Sequence, residues 1–122
     1  MRTTTLQVLA DRSAHETWAI LHNLYPNVLN NITPRVIFNN RLKTTAGRAF
    51  LEKDPQYIDL STELMEQYPE EFCRVIIPHE LAHIAAYNVY NDHGHRKGWK
   101  TIMNQLGLEP NPYHNMVNYK RG

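Results

Sequence analysis

The stretch Ile76-Ile77-Pro78-His79-Glu80-Leu81-Ala82-His83-Ile84-Ala85-Ala86 decides how the rest of the chain must fold. It lies in a longer run, from Pro69 or Glu70 to about Tyr90, whose only internal helix breaker is Pro78. After Glu71 the residues through Ala86 are nearly all apolar, with Phe72, Val75, Ile76, Ile77, Leu81, Ala82, Ile84 and Ala85 among them. A helix that is apolar all round is buried on most sides, so the other elements must wrap this one. Pro78 lacks an N–H and crowds the carbonyl of Arg74, which predicts a kink just before His79.

On that helix His79 and His83 stand at i and i+4, about 40° apart around the axis and one turn apart along it. Their imidazoles leave one face and can share a single metal ion. Glu80, beside the first of them, can reach a water on that ion. This is the H-E-x-x-H arrangement of zinc hydrolases, and it predicts peptide-bond hydrolysis with Glu80 as general base. Cys73 is the only cysteine. No intrachain disulfide and no cysteine-based zinc finger can be built from it, so a metal here takes histidine and carboxylate ligands.

A catalytic zinc takes three protein ligands and leaves a position for water. Downstream candidates are Asp92, His93, His95, Glu109 and His114. The metzincin extension H-E-x-x-H-x-x-G-x-x-H fails, because Ala86 replaces its glycine and Val89 its last histidine. Glu109 lies in a proline-rich stretch beyond a helix stop, an unsuitable mount for a rigid ligand. His95 follows Gly94 and precedes an amphipathic helix, so a loop can fold it over the His79/His83 face. His93 competes with it by distance alone. His15, His22 and His114 have no metal spacing and read as surface or partly packed histidines.

Outward from this core, Ser13-Ala14-His15-Glu16 reads as a capping box opening a helix with Trp18, Leu21, Leu24 and Tyr25 on one face, ending before Pro26. Thr4 to Leu9 forms an earlier turn or joins that helix. Three short strands are predicted at 35–38, 46–51 and 56–60, with hairpin-like antiparallel neighbours because the intervals are short and polar. Ser61 caps a short helix through Gln67. Asn91 to Gly98 is a loop, and Trp99, Ile102, Met103 and Leu106 follow helical spacing up to a stop at Gly107. The last ten residues read as a loosely packed tail. The resulting expectation is an α+β, minimal zincin-like single domain over residues 1–122: an N-terminal helix, a small three-stranded mainly antiparallel sheet, the buried HExxH helix and a C-terminal helix.

Composition narrows the class. The 42% hydrophobic and 20% charged fractions are those of a globular protein. No apolar run is long enough for a membrane helix, and the N-terminus lacks a basic-then-apolar signal pattern, so a cytoplasmic location is the default expectation. The net charge of +1 is unevenly spread. Arg35, Arg41, Lys43 and Arg48 form an acid-free segment; an acidic segment runs from Glu52 to Glu71; and Arg96, Lys97, Lys100, Lys120 and Arg121 follow. The basic segments either form a patch for an anionic partner such as a nucleic acid or are ordinary solvated surface.

His79-Glu80-Leu81-Ala82-His83, then Gly94-His95, then Trp99-Lys100 resembles the SprT-like zinc metalloprotease family, which includes Spartan. In that family the third ligand is the histidine of a Gly-His step with an aromatic residue four positions on, which maps to His95 and Trp99. Lys43 to Leu51 looks like the family's small-residue strand before the active helix, and Ile58-Asp59-Leu60-Ser61 like its next strand. Pro78 before the first ligand also occurs in bacterial members. The likeness covers roughly residues 13 to 114. The resemblance implies one Zn2+ held by His79, His83 and His95, and a protein or peptide substrate. Family members commonly continue, after a histidine resembling His114, into a four-cysteine zinc ribbon that this sequence does not contain. Their association with DNA and with proteins crosslinked to it rests partly on such elements, so the chemistry carries over further than the target. The alternative is a nucleic-acid-associated binding module that keeps the zinc site without proteolysis. Glu80 speaks against it, since a purely structural site has no use for a carboxylate base. Beyond the metal, oxyanion-stabilising groups are not legible; Tyr57, Tyr87 and Arg48 are the candidates.

Overall fold

The computed structural model describes residues 3–112 and 120–121. Helix α1 spans Thr3–Leu24. Leu6, Ala10, Ser13, Thr17 and Leu21 recur every three or four positions along it and are buried, so one stripe faces the core from end to end. The expected capping box at Ser13 therefore does not form. Nothing between Thr3 and Ser13 breaks a helix, and the apolar stripe is already running at Leu6. Ser13 instead donates its hydroxyl to the carbonyl of Cys73 at 2.6 Å, tying α1 to the segment before the central helix. A short helix α2, Pro26–Leu29, follows. Trp18 donates its indole N–H to the Ile32 carbonyl at 2.7 Å and closes the connection that leads into the sheet.

The sheet contains β1 (Arg35–Asn39), β2 (Thr45–Phe50), β3 (Tyr57–Ser61) and β4 (Lys120–Arg121), in the order β1-β3-β2-β4. The α+β class is as expected, but the strands are not sequential hairpins. β3 lies between β1 and β2, parallel to the first and antiparallel to the second, and β4 joins the far side of β2 in parallel. The sheet is thus mixed. Its centre goes to the strand with most to bury: Ile58, Asp59, Leu60 and Ser61 are all buried, whereas β1 leaves Arg35 and Ile37 exposed and takes an edge. Of the predicted loose tail, only Lys120 and Arg121 are described, as β4; the rest, with His114, lies outside the described residues.

From β3 the chain passes directly into α3 (Thr62–Gln67), whose first turn is capped by the Ser61 hydroxyl accepting the Leu64 N–H at 3.1 Å. A short turn α4 (Pro69–Glu71), a π segment (Phe72–Ile76) and α5 (Ile77–Tyr90) then form one continuous path. The break expected ahead of His79 takes the form of this π segment. Pro78 cannot donate to Arg74, and Ile77 bonds to the Phe72 carbonyl five residues back. Every residue of α5 from Ile77 to Ala86 is buried, packed between α1, the sheet and α6 (Lys97–Gln105). Helix α6 ends where Gly107 was expected to stop it. Gly107 takes φ 75°, its N–H bonds to Asn104 and that of Leu108 to Met103. Among the described residues no helix is long and apolar enough to cross a membrane.

Candidate metal centre

Helix α5 supplies His79 and His83 one turn apart from a fully packed backbone, and the turn between α5 and α6 supplies His95. Their Nε2 atoms converge: 3.0 Å separates those of His83 and His95, and 3.3 Å those of His95 and His79. One ligand atom from each of the three lies within 4.8 Å of the others. A tetrahedral ion with nitrogen ligands at about 2.0–2.1 Å sets its donors roughly 3.3 Å apart, so the three imidazoles fit around one metal ion. Nitrogen donors alone suit zinc and several other transition metals. His79 is fully buried and His83 is 5% exposed, while His95 is half-buried. The centre is closed at its base and open on the His95 side.

Glu80 is fully buried beside this group, with Oε2 3.8 Å from Nε2 of His79. Its approach depends on β2. A Cβ built on Gly47 would lie 3.2 Å from Glu80 Cγ, 3.1 Å from the Asp59 carbonyl oxygen and 3.3 Å from Leu60 Cδ2. Glycine at position 47 lets β2 pass directly over the Glu80 side chain. The sequence shows only a glycine inside a strand, a pattern that often marks close approach of another group.

The remaining walls come from α6. The Trp99 ring rests on all three imidazoles, with centroid distances of 4.9 Å to His79, 5.4 Å to His83 and 4.5 Å to His95. Its indole N–H reaches the His79 carbonyl at 3.4 Å. Trp99 is thus both a buried core residue and the wall of the group, stacked on His83 and meeting His79 and His95 edge to face.

The other ligand candidates are placed elsewhere. His93 turns away, with its ring against Tyr87 at 4.9 Å and Nε2 3.1 Å from the Asn91 side-chain oxygen. Glu109 is exposed and outside the three-histidine group. Asp92 is buried but spends both oxygens on backbone N–H groups: Oδ1 on Gly94 at 2.8 Å and Arg96 at 3.4 Å, Oδ2 on Trp99 at 2.8 Å. Burial alone would raise its pKa; the three N–H donors and the nearby His83 outweigh that and hold it below the usual aspartate value. Of the suggested oxyanion groups, Arg48 is committed to Asp59 by two hydrogen bonds, at 2.6 and 3.1 Å, and Tyr57 stacks on Phe50 at 4.3 Å. Tyr87 stands one helical turn beyond His83, against His93.

Two cavities are lined by strand residues, and neither by a histidine of this group. A cleft of about 290 Å³ lies between the end of β2 and His93, lined by Ala49, Phe50, Leu51, Glu52 and Lys53. A groove of about 900 Å³ between α1 and β1 is larger, but none of His79, Glu80, His83 or His95 lines it. Volume alone therefore points away from the chemistry.

A model of the SprT-like family matches residues 14–118. Among similar proteins, Protein SprT of Vibrio parahaemolyticus is 36% identical over 83 residues, which is 66% of this chain and 48% of that protein. Protein SprT-like of Anoxybacillus flavithermus is 40% identical over 62 residues, covering 51% of this chain and 40% of the relative. Protein SprT of Glaesserella parasuis is 30% identical over 86 residues, covering 69% and 54%. The chain thus spans about half the length of the curated relatives it matches. No solved structure matches it. With the family model covering most of its length and three histidines meeting where the family motif lies, the chain belongs to the SprT-like family.

Proposed function

We propose that the chain is a zinc-dependent metalloendopeptidase, with His79, His83 and His95 as metal ligands and Glu80 as general base. The observation that supports it most is the meeting of three Nε2 atoms beside a fully buried carboxylate. A carboxylate next to the first histidine of H-E-x-x-H is the group that this arrangement uses as a general base. When bound, zinc supplies a polarised carbonyl and a water acidic enough to lose its proton near neutral pH. Glu80 accepts that proton on its carboxylate and returns it to the departing amine. The closed base of the site, walled by Trp99, keeps bulk water from the imidazoles.

An extended substrate adds to β2 beyond its pairing with β4, on the strand that touches Glu80 through Gly47, with main-chain pairing as its chief recognition. β4 pairs with β2 at Thr45 and Gly47. Ala49 and Phe50 lie beyond that pairing, beside the cleft next to His93. Proteins bound or crosslinked to DNA are the proposed substrate class, with exposed Arg35, Arg41 and Lys43 as sources of weak DNA attraction. That attraction should fall steeply with added salt.

The test is metal content by mass spectrometry together with cleavage of an unstructured protein. Wild type should carry one zinc per chain and cleave. Glu80→Gln should keep the zinc and lose activity by about 10²–10⁴-fold. Full activity in zinc-loaded Glu80→Gln would remove the base assignment, and absence of bound zinc in the wild type would remove the whole mechanism.

A further inference from the structure

His95 reaches the site from a turn that has no regular structure of its own. Helix α5 ends at Tyr90, its C-cap Asn91 takes a left-handed φ of 56°, and α6 starts at Lys97. Arg96, at the N-cap of α6, makes no side-chain cap hydrogen bond. The third N–H of the helix, that of Trp99, is instead accepted by Asp92 from seven residues upstream, at 2.8 Å. The other oxygen of the same carboxylate takes the N–H groups of Gly94 and Arg96, on either side of His95. Asp92 is 5% exposed, and a negative side chain at a helix N-terminus is favoured there.

We infer that Asp92 is the positioning residue of the metal centre, fixing His95 and Trp99 together through the backbone of the 94–99 turn; the inference rests on the proposed ligand set. Two oxygens are needed for this. One holds the residues flanking the third ligand, and the other holds the residue whose ring supports all three imidazoles. Gly98 makes the arrangement sterically feasible. A Cβ there would lie 2.6 Å from Tyr90 Cβ and 3.2 Å from Asp92 Cβ, so any side chain forces the start of α6 and the end of α5 apart, at the place where Asp92 bridges them. Gly94, by contrast, has nothing within 4 Å of a built Cβ and no positive φ. The glycine of the Gly-His step is therefore not what shapes this turn. The Asp92 carboxylate is.

The experiment is a thermodynamic cycle on the full chain, read by zinc affinity in competition with a chelator and by the visible spectrum of the Co2+-loaded protein. Asp92→Asn keeps the size of the side chain but replaces one acceptor oxygen with a donor. It should weaken zinc binding by about 10–100-fold, the usual effect of removing a group that orients a ligand. The Co2+ bands should move toward those of His95→Ala. Combined with His95→Ala, Asp92→Asn should add much less than it does alone, because His95 is then already lost and only the support that Trp99 gives His79 and His83 remains to be weakened. Gly98→Ala should behave in the same way and serves if Asp92→Asn does not fold. Unchanged zinc affinity, or an Asp92→Asn effect of the same size with and without His95, would overturn the positioning role. Absence of metal binding in the wild type would instead overturn the ligand set on which it rests.

Discussion

Gly47→Ala tests whether the sheet and the helix meet as tightly as the structure has them. The added methyl would lie 3.1 Å from the Asp59 carbonyl oxygen, 3.2 Å from Glu80 Cγ and 3.3 Å from Leu60 Cδ2. The first of these is backbone of the central strand, held by β1 on one side and β2 on the other. It cannot retreat, so Glu80 must move by a few tenths of an ångström. Overpacking of this kind costs about 1–3 kcal/mol. Replacing glycine stiffens the unfolded chain and returns about 0.4–1 kcal/mol. The expected net loss is about 1–2 kcal/mol, a fall in Tm of roughly 3–8 °C for a chain of this length. Activity should fall further than stability, because a base displaced by even part of 1 Å is penalised steeply, with about 10²-fold as the scale for a full ångström. Thermal denaturation and peptide cleavage on the zinc-loaded protein give the two numbers. Gly94→Ala is the control: nothing there opposes a methyl, so only the gain from stiffening the unfolded chain is left, and its Tm should hold or rise by up to about 4 °C. A Gly47→Ala protein as stable and active as the wild type would refute the close approach of β2 to Glu80.

Two further outcomes follow from the same contacts. Ser13→Ala removes the 2.6 Å hydrogen bond to the Cys73 carbonyl and should cost about 0.5–1 kcal/mol in urea denaturation. Glu16→Ala, at an exposed position, should cost almost nothing; equal losses for the two would mean that the capping box forms after all. Removal of zinc by a chelator should lower Tm but leave the far-ultraviolet circular dichroism intact, because the two apolar clusters around α5 close without the metal. An unfolded metal-free protein, as in zinc fingers, would contradict this.

How far the site can be read from the sequence depends on how local each relation is. His79, Glu80 and His83 were legible because helix geometry alone puts them together, and because the apolar run around them could belong only to a buried helix. Gly107 was legible for the same reason: a helix end and its left-handed glycine are one local event. The capping box at Ser13 misled because a local signal has force only where the preceding segment cannot be helical, and Leu6 and Ala10 had already set the stripe. Strand order was less accessible. Short polar intervals suggest hairpins, yet which strand takes the centre depends on total burial, and Ile58 to Ser61 had the stronger claim.

The least legible residues are those that support the site from a distance. From the sequence Asp92 was only one of five downstream ligand candidates. Its three N–H partners become visible only when the turn around His95 is closed. Gly47 and Gly98 act by what they omit, and an omission has no signature until the opposing surface, Glu80 for one and Tyr90 for the other, is in place. The motif thus identifies the side chains that converge on the candidate metal centre, while a carboxylate, an indole and two missing side chains pack around them. A search for H-E-x-x-H and Gly-His would recover the first group in any sequence. Whether a given chain can hold the third histidine against the other two depends on the second group, and Asp92 is where that dependence can be measured.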